Sequence, residues 1–483
     1  MGEQMNKTRV LSSLVWKLLE RSGSQGVQFI VQIVLARLLL PEEYGIIAIV
    51  MVFILLANVF VQTGFNTALI QKKEVDEVDF SSVFYLSLAV SALLYVIIFF
   101  TAPIIANFYD QPLLIPVLRV LSITLFIGAL NSIQNAFISR HMLFKRLFIS
   151  SIGAVIVSGI VGIIAAYNGL GVWALVAQHL TNQLTIAFIL WFTVKWRPHL
   201  VFSLKRVKVL FNYASKLIAS ALIETVYRDL STLIIARMYT PAMLGFCNRG
   251  RQFPELIVTN INGSIQSVML PALSAHQDDK KRVKEMMRRA IVSSSFLVFP
   301  MMIGLAVVAE PMVKVVLTDK WLPAVPFLQI ACFTLAIMPI HTANLQAINA
   351  MGRSDIFLRL ELIKKTYGLI ILGVSVFFGV YVIALGQMLN SFISSFVNAY
   401  PNKKLLDYSY KEQLIDIMPA SLISAIMGVM VYSISLMSIS TWQILVLQVM
   451  AGIVIYIGLA KIFKIESYTY LVTTIKQLII DRK

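Results

Sequence analysis

Charged and amide side chains recur at helical spacing inside long apolar runs of this chain. In the first run, Lys17, Arg21, Gln25, Gln28 and Gln32 follow one another at steps of three or four residues, which places them on one face of a helix. An unpaired polar group surrounded by hydrocarbon costs several kcal/mol, so this face must meet water or another polar surface.

Two later runs carry the same kind of polar face, and a further run carries a weaker version. The residues of the second face are Lys216, Ser220, Glu224, Arg228 and Ser231, with Asp229 beside them. Those of the third face are Asn248, Gln252, Glu255, Thr259, Asn262 and Gln266. The weaker version begins with Asn58 and Gln62. We therefore predict a central hydrated cavity lined by these four runs.

The residues expected to bind a ligand in this cavity are basic or carry amide groups. They are Arg21, Gln25, Gln28, Asn58, Gln62, Lys216, Arg228, Arg249, Arg251, Gln252, Asn262 and Gln266. Charge inside a membrane is costly and usually functional, which favours a binding role. The alternatives are that the amides only join neighbouring helices, and that Lys17, Arg21 and Lys216 extend to the membrane surface.

Four acidic residues lie near these bases, namely Glu20, Glu224, Asp229 and Glu255. They are candidates for coupling to protons or sodium ions, and simple ion pairing is the alternative. We find no metal-ligand spacing, phosphate-binding glycine loop or nucleophile motif, so the sequence predicts no catalytic residue, metal site or cofactor.

One irregularity separates the third face from its weaker counterpart. Asn58 follows Gly45 by 13 residues, whereas Asn262 follows Gly245 by 17 residues, about one helical turn more. The difference falls near Cys247-Asn-Arg-Gly-Arg-Gln-Phe-Pro254, where a glycine and a proline weaken helical hydrogen bonding. We expect a broken helix whose amides and guanidinium groups bind pyrophosphate, or else a simple kink with both arginines at the headgroups.

The elements that position these residues are membrane-spanning helices. Of the 483 residues, 58% are hydrophobic and only 13% are charged, and apolar runs of about 20 residues follow one another along the chain. Closed barrels alternate polar and apolar residues, so the composition predicts an all-α polytopic membrane protein. We place fourteen spans near residues 14–38, 44–70, 81–106, 113–138, 146–166, 171–194, 207–238, 243–270, 288–317, 324–350, 355–378, 380–400, 414–435 and 441–462.

The basic residues orient these spans. The net charge of +17 is concentrated in alternate turns, such as 140–146, 195–206 and 280–289, which is the pattern of cytoplasmic loops and not of a nucleic-acid-binding protein. Both termini are then cytoplasmic. We interpret the acids Asp76 and Asp79, beside lysines in one such turn, as solvated.

An internal repeat defines the domains. Ile33-Val-Leu-Ala-Arg37 with Pro41 and Gly45 returns as Leu233-Ile-Ile-Ala-Arg237 with Pro241 and Gly245. The repeat separates spans 1–6 from spans 7–12, and because each group has an even number of spans, both groups start from the cytoplasm. The repeat therefore predicts two parallel six-helix lobes around one site. The predicted domains are residues 1–200 (spans 1–6), 201–405 (spans 7–12), and 406–483 (spans 13 and 14 with a cytoplasmic tail).

These segments carry a family resemblance. Gly23-Ser-Gln-Gly-Val-Gln-Phe29, followed by Leu35-Ala-Arg-Leu-Leu-Leu-Pro-Glu-Glu-Tyr-Gly45, resembles the opening of the Wzx-type flippases for O-antigen, exopolysaccharide and teichuronic acid. Gly245-Phe-Cys-Asn-Arg-Gly250 resembles the corresponding segment of their second lobe. These transporters belong to the multidrug/oligosaccharidyl-lipid/polysaccharide (MOP) flippase superfamily, and the resemblance implies that fold over essentially the whole chain.

The resemblance also implies a function. Such proteins move an undecaprenyl-pyrophosphate-linked oligosaccharide from the inner to the outer leaflet of the bacterial plasma membrane, where polymerisation follows, so the expected partners are this lipid, the bilayer and the polymerase or export machinery. The alternatives are a lipid II flippase or a cation-coupled drug exporter of the same superfamily. From another class they are a membrane polymerase or ligase, or a scaffold, of the same pathway. The resemblance favours a transporter and not an enzyme.

Overall fold

The computed structural model describes residue 16, residue 20, residues 23–72 and residues 75–480. Within this part of the chain every regular element is a helix, which confirms the all-α prediction. The helices are α1 (23–38), α2 (Pro41–Asn58), α3 (Gly64–Gln71), α4 (Glu77–Phe108), α5 (Leu114–Leu121), α6 (Thr124–His141), α7 (Phe144–Tyr167), α8 (Val172–Thr193), α9 (Leu204–Met238), α10 (Pro241–Ser274), α11 (Lys280–Val307), α12 (Ala309–Val316), α13 (Val325–Ala336), α14 (Met338–Ala350), α15 (Ser354–Ser375), α16 (Val380–Leu406), α17 (Tyr410–Ser433), α18 (Thr441–Ile462) and α19 (Glu466–Ile480). A π-helical turn, Val59–Thr63, joins α2 to α3, and a 3-10 turn, Asp319–Ala324, precedes α13.

Twelve helical stretches among the described residues are long and apolar enough to cross a membrane. The protein is therefore a multi-pass membrane protein. Two of the fourteen predicted spans are not among the twelve. Part of the first span lies outside the described residues, and the eleventh, α15, carries five charged residues between Asp355 and Lys365. The count of fourteen stays a prediction.

The chain divides into two compact units, Met1–Gly245 and Phe246–Lys483. Helix α9 packs against α2, α3 and α4, so it belongs to the first unit, although the repeat groups it with the helices that follow. In the second unit α11 packs against α13, α14 and α17, and α17 packs against α18. The division into lobes at residue 200, derived from the repeat, stays a prediction.

The two copies of the repeated Pro-x3-Gly motif contact each other within the first unit. Pro41 and Pro241 open α2 and α10, where a missing backbone N–H has no helical cost. A Cβ atom on Gly45 would lie 1.8 Å from the carbonyl oxygen of Pro241, and one on Gly245 would lie 2.1 Å from that of Pro41. Glycine is required at both positions because each helix meets the backbone of the other copy.

An ion-pair cluster joins the ends of α3, α4 and α9. The Asp79 carboxylate has no exposed surface and lies 2.6 Å from Lys72 Nζ and 3.4 Å from Arg206 Nη1. Arg206 also pairs with Asp76 at 2.8 Å. The interpretation of Asp79 as a solvated turn residue is therefore wrong. Its charge is buried because Arg206, far away in the sequence, completes the pairing.

The segment between α8 and α9 is bound to the first turns of α4. Trp196 Nε1 donates to Glu77 Oε2 at 2.6 Å. The backbone N–H groups of His199 and Ser203 donate to the hydroxyls of Ser81 and Ser82, each at 3.0 Å. These bonds satisfy the buried hydroxyls of Ser81 and Ser82 and the buried indole N–H of Trp196, and they fix the path of the chain into α9.

A buried polar network connects α14, α16 and α17 in the second unit. Asn344 Nδ2 donates to Gln413 Oε1 at 2.7 Å, and Asn402 Nδ2 donates to Asn344 Oδ1 at 2.7 Å. Nearby, the Asn398 amide nitrogen lies 3.0 Å from His341 Nδ1. These side chains are all buried, so the network ties α17, the first helix of the predicted domain 406–483, firmly to α14 and α16.

A second connection to the carboxyl-terminal helices is ionic. Arg288 of α11 pairs with Asp416 of α17 at 2.9 Å and with Glu466, the first residue of α19, at 2.9 Å. Tyr408 Oη donates to Asp416 Oδ2 at 2.6 Å. The hydrogen bond from Arg288 holds the pKa of Glu466 below its ordinary value of 4.5. One arginine thus fixes both α17 and α19 to α11.

Candidate substrate-binding residues

The polar face of the first span lies partly on α1. Arg21 and Lys17 lie outside the described residues. Gln25 and Gln28 are half-buried, and Gln25 Oε1 is buried without a hydrogen-bond partner among the described residues. Glu20, one of the candidate coupling acids, accepts a hydrogen bond from Ser151 Oγ at 3.1 Å.

Asn58 and Gln62 lie at the π-helical turn between α2 and α3. Gln62 Nε2 donates to Asn58 Oδ1 at 2.8 Å, so the two amides pair with each other. A Cβ atom on Gly128 of α6 would lie 2.8 Å from Gln62 Nε2, and the missing side chain is what leaves room for this pair. Single π-helical turns are frequent at functional sites, and here the turn carries both predicted amides.

The face of α9 is largely exposed. Lys216 is exposed and makes no ion pair with any described residue. The Arg228 side chain is 57% exposed, and its Nη2 lies 3.0 Å from Asp229 Oδ2. Glu224 is exposed as well. Two of the predicted bases on this helix therefore lie at a surface of the unit.

Helix α10 is continuous from Pro241 to Ser274, so the prediction of a broken helix near Gly250 is wrong. Gly250 serves close packing instead. A Cβ atom there would lie 2.8 Å from the carbonyl oxygen of Ala324 and 2.8 Å from the backbone nitrogen of Leu328. The glycine lets α10 approach the backbone at the start of α13, and Pro254 is accommodated inside the same helix.

The two arginines beside Gly250 have different surroundings. Arg249 is only 5% exposed, donates from Nη1 to Gln252 Oε1, and lies with its guanidinium 5.4 Å from the ring centre of the buried Trp321. Arg251 is 43% exposed at its side chain. It pairs with Glu255 at 3.1 Å and donates from Nη1 to Gln387 Oε1 at 3.0 Å.

The last two predicted amides lie further along α10. Asn262 is buried, and its Oδ1 has no hydrogen-bond partner among the described residues. Gln266 is exposed. Helix α10 therefore presents a half-exposed cation, a buried cation and an unsatisfied amide oxygen along its length.

Sequence reasoning missed two partners of these arginines, Trp321 and Gln387. Nothing in the sequence distinguishes Trp321, because it lies in a short turn outside the polar faces. Gln387 did have a signal. It opens a face of α16 that continues through Ser391, Ser394, Asn398 and Asn402 at steps of three or four residues.

The structure brings the predicted residues together in small groups: Asn58 with Gln62, Arg228 with Asp229, Arg249 with Gln252, and Arg251 with Glu255. Among the candidate coupling acids, Glu20 accepts from Ser151, and Asp229 and Glu255 pair with Arg228 and Arg251. Among the described residues no three His, Cys, Asp or Glu side chains form a group that could hold a metal ion. These groups present hydrogen-bond donors and acceptors of the kinds that bind anions and hydroxyl groups, and their role as a binding site stays a prediction.

Comparison with known proteins confirms the resemblance. A family described as polysaccharide biosynthesis protein matches residues 34–326, more than half of the chain. The chain belongs to this family. Teichuronic acid biosynthesis protein TuaB of Bacillus subtilis (strain 168) is 25% identical over 418 residues, which cover 83% of this chain and 85% of that protein.

Solved structures show the fold. The lipid II flippase MurJ in an inward closed conformation matches with a TM-score of 0.77 at 16% identity, over 95% of this chain and 100% of that one. An inward-facing multidrug resistance transporter of the MATE family and MOP superfamily matches with a TM-score of 0.58 at 14% identity, over 79% and 96% of the two chains. The predicted MOP fold is therefore confirmed for this member of the family.

Proposed function

We propose that this protein is a flippase that moves an undecaprenyl-pyrophosphate-linked oligosaccharide from the inner to the outer leaflet of the bacterial plasma membrane, for surface polysaccharide biosynthesis. The observation that carries the proposal is the arginine pair on α10, Arg249 and Arg251, inside an apolar helix of a polysaccharide biosynthesis protein. Cations inside a membrane span are costly and often mark a substrate path, so this pair supports an anionic ligand.

The chemistry of the substrate fits the residues present. Its pyrophosphate is matched by the guanidinium of Arg251, which is half-exposed and held in place by Glu255 and Gln387. Guanidinium groups bind phosphate oxygens in pairs, with defined geometry. Amides such as Gln28 and Gln266 suit sugar hydroxyls, because each offers both a donor and an acceptor.

The second unit also offers a surface for the lipid tail. Helices α11, α17 and α18 border a groove of about 620 Å³ that is lined almost wholly by apolar side chains, among them Phe296, Met301, Met427 and Ile453. The groove is empty beside Gly304, since the single atom within 4 Å of a Cβ placed there is Met427 Cε, at 3.7 Å. A polyprenyl chain lying in the groove stays in an apolar environment while the head group moves.

The membrane potential favours the proposed direction of transport. With both termini in the cytoplasm and the cytoplasm negative, moving one negative charge outward gains about 2.3 kcal/mol per 100 mV. A pyrophosphate is therefore driven outward by the membrane potential, and no covalent step is needed. In this proposal the two predicted lobes, 1–200 and 201–405, rock to give alternating access. The tail groove lies between α11 of the second predicted lobe and α17 and α18 of residues 406–483.

The test is a flipping assay in proteoliposomes. Purified protein is reconstituted with a fluorescent undecaprenyl-pyrophosphate-linked oligosaccharide, and its arrival in the second leaflet is followed by an impermeant quencher. The Arg249→Ala/Arg251→Ala variant should lose the activity of the wild type. Arg282→Ala is the matched control, because Arg282 is an exposed arginine near the start of α11 and outside the proposed site.

Parallel assays separate the alternatives. Lipid II in place of the oligosaccharide lipid tests the lipid II flippase, and an organic cation tests the drug exporter. Wild-type activity with the double variant, at equal protein level and thermal stability, would exclude the arginine pair as the anion site. No activity of the wild type with any pyrophosphate-linked lipid would reject the proposed function.

A further inference from the structure

A basic pocket lies where α6 ends and α7 begins, beside the end of α8. Its volume is about 530 Å³. Its lining includes the basic side chains Arg140, His141, Arg146 and Lys195 and the apolar side chains Phe137 and Leu143. No residue of the lining is acidic. We call this the α6–α7 pocket.

The cations of the pocket differ in how they are held. Arg140 Nη1 donates to the backbone carbonyls of Leu69, at 3.1 Å, and Lys72, at 2.6 Å, so its guanidinium is fixed in position at the end of α3. Arg146 is half-buried and Lys195 is exposed, and neither forms an ion pair with a described residue. The pocket therefore combines one fixed cation with two that pair with no acidic side chain of the described residues.

The start of α7 adds to this positive potential. Its N-cap residue, Leu143, makes no side-chain hydrogen bond to the N–H groups of the first turn. Lys145 and Arg146 lie in that same turn, where the helix dipole is already positive and cations are unfavourable. An anion in the pocket would offset both effects.

The pocket lies at the level of lipid headgroups. The candidate membrane spans Leu114–His141 and Val172–Thr193 end beside it, and the span Phe144–Tyr167 begins there. Met142, between two of these spans, is exposed and apolar. A ligand that combines a phosphate with an apolar portion suits such a position better than a soluble anion does.

We infer that the α6–α7 pocket binds the phosphate of an anionic lipid headgroup. Two sources share this chemistry, namely a bulk anionic phospholipid and the pyrophosphate of the carrier lipid. Only the second depends on the proposed function. Binding can be measured without transport, so failure of this inference and failure of the proposed function are distinguishable.

The test is lipid titration of the purified full chain in neutral detergent, read by native mass spectrometry. The probes are dioleoyl phosphatidylglycerol, undecaprenyl diphosphate, and zwitterionic dioleoyl phosphatidylcholine as a reference. The variant is Arg146→Gln/Lys195→Gln. Each cation near an anionic lipid surface contributes about fivefold in affinity, so the apparent dissociation constant should rise about 25-fold.

The matched control is Lys280→Gln/Lys281→Gln, which removes the same charge from the exposed first turn of helix α11, outside the pocket. It should bind all three lipids as the wild type does. A loss of phosphatidylglycerol alone in the pocket variant identifies bulk lipid as the ligand, and a loss of undecaprenyl diphosphate alone identifies the carrier. Equal binding by pocket variant and wild type, or equal losses in pocket and control variants, would overturn the inference.

Discussion

Alanine at Gly45 or Gly245 should destabilise the protein, because the two copies of the repeated motif meet backbone to backbone. A Cβ atom on Gly45 would lie 1.8 Å from the Pro241 carbonyl oxygen and 2.5 Å from its carbonyl carbon. These are backbone atoms in the first turn of a helix, so they cannot rotate away. Ordinary contact begins at 3.4 Å, which requires the helices to separate by roughly 1.5 Å.

The expected free-energy change follows from this overlap. Forced overpacking costs about 1–3 kcal/mol, and the better helix propensity of alanine returns at most about 1 kcal/mol. We expect a net loss of about 1–2 kcal/mol for Gly45→Ala. The measurement is the temperature at which half of the purified protein unfolds in detergent, followed by tryptophan fluorescence. Gly458→Ala in α18 is the control, since nothing lies within 4 Å of its Cβ position, and it should keep or raise that temperature.

The double variant tests the same reasoning from another side. Gly245→Ala alone places its Cβ atom 2.1 Å from the Pro41 carbonyl oxygen, so it forces a similar separation of the same two helices. Once one methyl group has moved them apart, the second fits at little further cost, and the two losses should not add. If Gly45→Ala is as stable as Gly458→Ala, the close approach does not exist in the folded protein.

Four further substitutions probe the site and its supports. Arg249→Lys should recover only part of the flipping lost in Arg249→Ala, because an ammonium group cannot reproduce guanidinium geometry; equal rates for Lys and Arg would indicate a point charge. Gly304→Leu should fill the apolar groove and slow flipping without lowering thermal stability, whereas an unchanged rate would exclude the groove as the tail site. Asp79→Asn should destabilise the protein by up to about 3 kcal/mol in thermal unfolding, because two cations lose a buried carboxylate, and a neutral effect would contradict that pairing. The pKa of Glu466 is lowered in the folded protein, so its carboxylate should stabilise the docking of α19 fully at pH values above its ordinary pKa of 4.5. This stabilisation should be lost as the pH falls through the folded-state pKa. The protection of the α19 amides, measured as the exchange rate relative to the intrinsic rate at each pH, should therefore fall modestly at low pH, because this pair is largely exposed. Glu466→Gln at neutral pH should lower the protection to a similar extent.

Local sequence predicted the helices well, because long apolar runs leave few alternatives to a membrane helix. It misjudged residues whose environment depends on distant partners. Asp79 follows lysines in a polar turn, which is typical of a solvated acid, but Arg206 from a later helix buries it. Gly250 and Pro254 together predict a break, yet Gly250 is needed for contact with residues 324–328, and packing there keeps α10 continuous.

The polar faces illustrate the same limit. The face of α16 has the same spacing as those that predicted a cavity, yet much of it is closed by hydrogen bonds. Asn398 and Asn402, for example, contact His341 and Asn344 of α14. The spacing of polar residues in the sequence identifies a polar face. Whether that face forms hydrogen bonds with another helix or stays accessible to a ligand depends on the neighbouring helix. On the described polar faces, the exposed cations of α9 and the half-exposed Arg251 remain accessible to a ligand.

This distinction assigns different roles to the two arginines of α10. Arg249 is 5% exposed, its guanidinium lies over the ring of Trp321, and it donates a hydrogen bond to Gln252. Neighbouring side chains therefore already stabilise its charge. Arg251 is 43% exposed, and it uses two of its nitrogens on Glu255 and Gln387. A guanidinium has five N–H donors, so Arg251 retains donors for a phosphate while its position is fixed. Under the proposed function, we therefore expect Arg251 to contact the substrate, and Arg249 to position this part of α10 and to raise the local positive potential.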